Sequence, residues 1–500
     1  MERFDTPRGT RDFPPEQAAI RHDVEQRVCG VFRRFGYQPI QTPVFENFDL
    51  FAARSGEEII DSMITFSVDA VRVALRPEMT SAVCRLAAGG KLAGEPFPYK
   101  LFYFGPCFRY CRPQAGRYRE FHQMGVELLG ADSPLADAEM IAVAVNSLQA
   151  LEIDDYHLRL GAVGVFRQLL HDGPAPVDAE TQDRVIHDID RLTHICEKLE
   201  PLQSGMELPA EDAAFLGRER ASIVREQESK GYAGDQLLAA DYDPTDEKEL
   251  AQLPAALEAT ILHAWEADEI VSREKGEKLL QLTKLRGRGD AFWNAAKKLV
   301  SGTAAEQELD RLSEVCSCLD AFGIDGYEAA LGVVRNLDFY TGVVFEIDLP
   351  LHGARTQVCG GGRYDRLVED FGGQPTPATG FAFGFDRLVD AHQKAVSGKR
   401  STASADVAVF GVDASVTADC VKLAMGLRSA GLKVVSDLLE RSAAEQEAYA
   451  KKLGVRRTII LSPESVARNV CRFISWDSGA PVEQVDALLD PQELAVRTRA

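Results

Sequence analysis

The stretch Phe108-Arg109-Tyr110-Cys111-Arg112-Pro113-Gln114-Ala115-Gly116-Arg117-Tyr118-Arg119-Glu120-Phe121-His122-Gln123 decides how this chain is read. Arg109, Arg112, Arg117 and Arg119 flank a Pro-Gln-Ala-Gly turn, and apolar residues alternate on both sides of it. Alternation with a period of two marks strands and the turn residues mark a reversal, so the segment predicts two antiparallel strands joined by a basic loop. A second stretch, Gly380-Phe381-Ala382-Phe383-Gly384-Phe385-Asp386-Arg387, reads as a strand passing into a helix with an arginine at the join. A third arginine lies in Val334-Arg335-Asn336-Leu337-Asp338-Phe339-Tyr340-Thr341-Gly342, upstream of Gln357-Val358-Cys359-Gly360-Gly361-Gly362-Arg363-Tyr364-Asp365. A guanidinium is planar, permanently charged and bidentate, so it suits gripping phosphates. One arginine is usually a solvated surface residue and one glycine run usually a turn. The coincidence of all these segments points to chemistry.

The 500 residues suit roughly three domains. With 45% hydrophobic and 27% charged residues, the composition is that of a globular protein with ample material for cores. No apolar run approaches the roughly 18 residues of a membrane span, and no secretory leader is legible after Met1. The 10 cysteines are scattered without a Cys-x-x-Cys pair, so reduced thiols in a cytoplasmic protein are expected and a structural metal is not. The net charge of −21 runs against nucleic-acid binding, which needs Lys and Arg. Its distribution answers much of that objection. Residues 166–325 hold 33 acidic against 18 basic side chains, whereas residues 406–500 hold 13 against 12.

Along the chain, a helix is expected from about Pro15 to Phe35, with Ala19, Val24, Val28, Val31 and Phe32 on one face. Tyr37 to Val44 reads as an edge strand interrupted by Pro39 and Pro43. Helices are expected at Ser81–Ala88 and Pro134–Leu151, and strands at Val71–Arg76, Gly125–Gly130 and Tyr156–Leu160. From Phe166 to Asp320 the composition turns helical and acidic, punctuated by prolines. A linker is expected at 395–405. Beyond it, strands at Val407–Phe410, Lys433–Val435 and Thr458–Leu461 alternate with helices at Ser415–Ala430 and Ser442–Leu453. That alternation predicts a small parallel-sheet α/β domain.

Together these segments resemble the class II aminoacyl-tRNA synthetases, and within them the histidyl-tRNA synthetase family. The resemblance implies an α+β catalytic core, an antiparallel sheet flanked by helices, split into 1–165 and 326–394 by a helical insertion at 166–325. A linker at 395–405 and an anticodon-binding-like α/β domain at 406–500 complete it. It implies a histidine–tRNA ligase that makes histidyl-adenylate from L-histidine and ATP, with Mg²⁺ accompanying the nucleotide, and passes the acyl group to histidine tRNA. By position, Arg109, Arg335 and Arg387 match catalytic residues, and Arg109, Arg117 and Arg387 match ATP contacts. Glu78, Thr80, Arg109, Gln123, Glu127, Arg335, Phe339, Tyr340 and Tyr364 match the histidine pocket. Gln114 and Arg119 match contacts to the tRNA acceptor end. No metal-ligating residues are implied. The unit at Gly36–Val44 resembles the segment that builds the family's homodimer interface.

Three places depart from the family pattern. Cys111 replaces the glutamate that accepts from the adenine amino group, and thiols accept weakly. Asn336 replaces a glycine after Arg335, although asparagine tolerates left-handed backbone. Ala443-Ala444-Glu445-Gln446-Glu447 occupies a helix start where the family commonly has lysines. The alternative is therefore a catalytically silent paralogue, the regulatory subunit of ATP phosphoribosyltransferase in histidine biosynthesis. Gly125–Gly130 with Asp137-Ala138-Glu139 suits that relative equally well. Arg335, the full arginine set, the insertion and the C-terminal domain favour the enzyme.

Overall fold

The computed structural model describes residues 4–53, 57–110, 118–172, 176–203, 207–229, 250–335, 339–351, 354–396, 405–439, 441–477 and 480–499. The chain divides into two compact units, Met1–Ala395 and Val396–Ala500. In the first, the strands in chain order are β1 (Gln38–Pro39), β2 (Phe45–Asn47), β3 (Thr65–Val68), β4 (Val71–Leu75), β5 (Tyr99–Phe108), β6 (Glu120–Leu129) and β7 (His157–Ala162). There follow β8 (Arg286–Gly287), β9 (Tyr327–Ala330), β10 (Val343–Leu351), β11 (Ala354–Arg363) and β12 (Ala378–Gly384). Nine of them form one sheet in the order β1-β5-β6-β12-β11-β10-β7-β9-β8, and β2-β4-β3 form a small separate sheet.

The middle of the large sheet, from β5 to β7, is antiparallel throughout. Directly opposite residues on antiparallel strands share a face. One cross-strand row runs Glu346, Gly360, Ala382, Gly125 and Tyr103, and the next on that face runs Val344, Gly362, Gly380, Glu127 and Leu101. The centre of this face therefore consists mainly of glycine and alanine, with carboxylates set among them. The helix Pro134–Ala150 packs against the sheet with an almost wholly buried apolar surface. It starts where the Ser133 hydroxyl accepts from the Ala136 N–H at 3.2 Å and Pro134 occupies the first turn. The helix Pro15–Arg34 buries Val24, Val28, Val31 and Phe32, the stripe expected from its periodicity.

The edge strand is shorter than Tyr37–Val44. Only Gln38–Pro39 pairs, parallel to β5. Two prolines remove donors from the ladder, and the Arg76 guanidinium instead collects the carbonyls of Thr42 at 3.0 Å and Pro43 at 3.2 Å. Between Val163 and Ala321 the described residues are mainly helical, with β8 as a short strand pairing with β9.

The second unit carries β13 (Val407–Gly411), β14 (Val434–Ser436), β15 (Arg457–Leu461), β16 (Val470–Asp477) and β17 (Ala480–Leu488), ordered β14-β13-β15-β16-β17. Its first three strands are parallel, as expected, but β16 and β17 add antiparallel pairs, so the sheet is mixed. Alternation in Val470–Asp477 carries that hairpin, which a reading ending at Leu461 missed. The helix Ala443–Lys452 begins with a capping box. The Glu445 carboxylate accepts from the Ser442 N–H at 2.9 Å, so the glutamate at this helix start has a structural use.

Candidate active site

A cleft of about 1610 Å³ opens over the small-residue face of the large sheet. Glu78, Thr80, Arg109, Gln123, Arg335, Phe339, Tyr340, Tyr364 and Arg387, scattered over some 300 residues of sequence, all line it. Glu127 is fully buried beside Gly380 at the base of this face, and is not part of the lining. Its carboxylate accepts from Thr80 Oγ1 at 2.8 Å, from the Tyr103 hydroxyl at 3.1 Å and from the Tyr364 hydroxyl. Burial pushes its carboxyl up to about 8, against the lowering effect of the three hydroxyls, and the Glu78 charge adds to the rise. A methyl group on Gly380 would run into Glu127 Oε2, so only glycine lets the carboxylate lie there.

Glu78 has a structural as well as a site-facing role. Its carboxylate accepts from the Ser81 N–H at 3.2 Å, capping the helix Thr80–Ala88. Burial raises its carboxyl while the Ser81 and Thr80 bonds and Arg109 lower it. Phe339 lies edge-on to Tyr364 at 5.7 Å between ring centres and 4.8 Å from Tyr340, giving one aromatic wall. Burial pushes the Tyr340 hydroxyl up to about 12.

The arginines are held by different means. Arg109 donates through Nε to the Pro77 carbonyl at 3.0 Å. Arg387 stands in the first turn of the helix Phe385–Ala395 and donates to the Gln357 carbonyl. Its neighbour Asp386 accepts from Arg11 and Arg21, both at 2.7 Å, and from the His122 N–H at 2.8 Å. These bonds tie the N-terminal segment and β6 to the start of that helix. Arg335 has left-handed backbone, φ 64°, and its Nη1 donates to Glu346 Oε1 at 2.9 Å. A methyl group on Gly360 would collide with the Arg335 guanidinium, which lies flat over that backbone.

Arg119 is not part of the cleft lining. Its side chain packs against Gly9, and its Nη1 donates to the Arg8 carbonyl at 3.3 Å. Cys111, Gln114, Arg117 and Asn336 lie outside the described residues. Sequence reasoning missed Glu346, which holds Arg335, Gln357 and Arg159, which bond to Glu346, and Tyr103, which donates to Glu127. The signal for Glu346 was present: Glu346 and Asp348 are two polar residues spaced by two in the otherwise apolar run Val343–Leu349.

An antiparallel sheet with arginines over a glycine-paved face, flanked by helices, defines the catalytic core of a class II aminoacyl-tRNA synthetase. The family model described as histidyl-tRNA synthetase matches residues 9–216 and 235–388. The chain belongs to the histidyl-tRNA synthetase family. It is 32% identical to a histidine–tRNA ligase of Archaeoglobus fulgidus over 93% of both chains. It is 33% identical to that of Thermococcus kodakarensis over 96% of this chain and 95% of the relative. The fold is similar to the crystal structure of histidyl-tRNA synthetase from Nostoc sp. PCC 7120, with TM-score 0.70 and 21% identity over 99% of this chain and all of that one. It is also similar to an ATP phosphoribosyltransferase regulatory subunit/histidyl-tRNA synthetase from Bacillus halodurans, with TM-score 0.65 and 22% identity over 92% and 98%.

Proposed function

We propose that this chain is a histidine–tRNA ligase. A carboxylate oxygen of L-histidine attacks the α-phosphorus of ATP, pyrophosphate leaves, and histidyl-adenylate forms. A hydroxyl of the terminal ribose of histidine tRNA then attacks the acyl carbon and AMP leaves. The observation that carries this reading is that Arg109, Arg335 and Arg387 line one cleft with an aromatic wall, beneath which Tyr364 and Thr80 of the lining hold the buried Glu127 carboxylate, an arrangement that suits an amino acid with a cationic group. The relatives that match over nearly the whole length are named histidine–tRNA ligases, which disfavours the silent regulatory paralogue.

In this reading Arg109 grips the α-phosphate, Arg387 the γ-phosphate side, and Arg335 lies between the substrate carboxylate and the α-phosphate. Fixed cations there stabilise the charge that crowds phosphorus in the transition state. Glu127, Glu78, Thr80 and Gln123 offer acceptors to the substrate's amino group and imidazole, while Phe339, Tyr340 and Tyr364 close over the ring. By the resemblance Arg117 is assigned to ATP binding, and Gln114 and Arg119 to the tRNA acceptor end. Glu346 and Asp348, the carboxylates near Arg335, are already held by arginines, so Mg²⁺ is assigned to the ATP phosphates, whose charge it offsets.

The chain is proposed to divide into a core at 1–165 and 326–394, an insertion at 166–325, a linker at 395–405 and an anticodon-binding-like domain at 406–500. It is proposed to act as a cytoplasmic homodimer joined through the Gly36–Val44 region, where β1 lies exposed at the sheet edge. Among the described residues no helix is long and apolar enough to cross a membrane. The test is exchange of pyrophosphate into ATP with each amino acid in turn. Exchange is expected with histidine alone. Its absence in folded protein at saturating histidine and Mg²⁺ would return the paralogue to first place.

A further inference from the structure

Glu346 links Arg335 to Gln357 and Arg159. Its Oε1 accepts from Arg335 Nη1 at 2.9 Å and from Gln357 Nε2 at 2.5 Å, while the Gln357 carbonyl accepts from Arg387. Its Oε2 accepts from Arg159 Nη2 at 3.2 Å. Arg159 is itself anchored, by Asp348 at 2.8 Å and by Glu197. The carboxylate thus stands at a junction in which Gln357 is fixed by its strand and Arg159 by its strand and further ion pairs.

The Arg335 backbone needs such support. A non-glycine residue in the left-handed region costs roughly 1–3 kcal/mol and persists only where its surroundings impose it. The guanidinium is gripped at Nη1, but its Nε is buried without a hydrogen-bond partner among the described residues. That unspent donor suits an incoming anion, since a buried donor left unpaired is costly. The register explains how the grip is made. Glu346 lies directly opposite Gly360, and the missing side chain at Gly360 leaves the space that the guanidinium fills.

We propose that Glu346 is a positioning residue of this site, orienting the Arg335 guanidinium directly and itself braced by Gln357 and Arg159. The proposal rests on the adenylate-forming reading above. Glu346 touches no reacting atom in this account. It fixes the plane and direction of a guanidinium that must bridge two anions, and misplacing such a group costs turnover more than substrate binding.

The experiment is histidine-dependent pyrophosphate exchange by the full chain and by Glu346→Gln, Gln357→Ala, Arg335→Ala and Arg335→Ala/Glu346→Gln, with thermal melts of each. Glu346→Gln is expected to lower kcat by about 10–100-fold with KM for histidine within about threefold of native. In the Arg335→Ala background the same change is expected to cost less than about threefold more, because residues acting as one unit are not additive. A kcat within about twofold of native, or the same fold-loss in both backgrounds, overturns the proposal, since a merely structural ion pair shifts the melt and not this coupling. Should Glu346→Gln fail to fold, Gln357→Ala decides. It is expected to lose about 3–10-fold in kcat, with the loss absent from Arg335→Ala/Gln357→Ala, and an unchanged kcat overturns the proposal. Native protein with no histidine-dependent exchange would instead overturn the functional reading itself.

Discussion

Glu127 and Glu346 stand in adjacent rows on the same face of the same sheet, and their charges are met in opposite ways. Glu346 is surrounded by two arginines and an amide before any substrate arrives. Glu127 is fully buried and has only hydroxyl groups, from Thr80, Tyr103 and Tyr364; among the described residues it forms no ion pair. Hydroxyls stabilise a carboxylate less than a cation does, and desolvation then raises its pKa. The difference teaches which half of the site is complete in itself. In the proposed reading, the phosphate side carries its own counter-charges, whereas the amino-acid side leaves one cation to be supplied by the substrate.

The largest effect is expected from Arg335→Ala, which on the proposed assignment removes a bridging cation from the complete half. Exchange should fall by about 10²–10³ or more while histidine binding stays measurable by calorimetry. Lysine at this position should rescue little, because a point charge cannot bridge two oxyanions in a fixed plane. Near-native exchange by Arg335→Ala would break the comparison on the phosphate side.

On the other side, Glu127→Gln should weaken histidine binding by about 2–3 kcal/mol, the scale of a lost charged hydrogen bond, with little change in KM for ATP. Equal effects on both substrates would place Glu127 outside the amino-acid pocket.

A pH titration sharpens the same contrast with a smaller effect. The Glu127 carboxyl sits near 8 in the folded protein, above its ordinary value of 4.5. The folded state therefore holds this proton more tightly. Its contribution to stability is fully present below about 4.5 and is lost as the pH rises through about 8. Ligand-free protein should lose melting temperature between pH 6 and 9 more steeply than Glu127→Gln does. Histidine brings a cation to an ionised Glu127, so its affinity should rise several-fold from pH 6 to 8, with up to about one proton released on binding. Calorimetry in buffers of different ionisation enthalpy measures that proton. No release near pH 7 would mean that Glu127 is already ionised in the empty site.

The smallest effect serves as a control in the C-terminal unit. Ser442→Ala removes the hydroxyl from the helix start at Ala443 and should cost about 1 kcal/mol in unfolding of the C-terminal unit. Exchange should be unchanged, and a loss of exchange would show that the cap matters to the site.

Much of the site was legible because its residues sit on strongly patterned strands. Arg109 and Gln123 belong to a hairpin whose alternation is plain, and Arg387 follows a strand-to-helix switch marked by glycine and aromatic residues. What escaped notice depends on pairing between distant strands. Glu346 meets Arg335 because β10 lies against β11 and the chain at 335 folds over Gly360. Arg11 meets Asp386 across 375 residues, and no local pattern encodes such a contact. Proline misled in one place: Pro39 and Pro43 were read as tolerated within an edge strand, yet they end the pairing after two residues. In the C-terminal unit, β16 and β17 alternate as clearly as the strands before them, and the parallel expectation failed because the count stopped early.

The glycines at 360 and 380 carry a consequence for how this cleft could change. Room for Arg335 and Glu127 comes from side chains that are missing on β11 and β12, so the hollow is carved into the sheet itself. A hollow of that kind can be filled one methyl group at a time but cannot be widened at those points, since nothing remains to trim. Variation of the proposed amino-acid pocket is thus left to the side chains that line it, such as Thr80, Gln123 and Phe339, while the glycine backbone at 360 and 380 acts as a fixed mould.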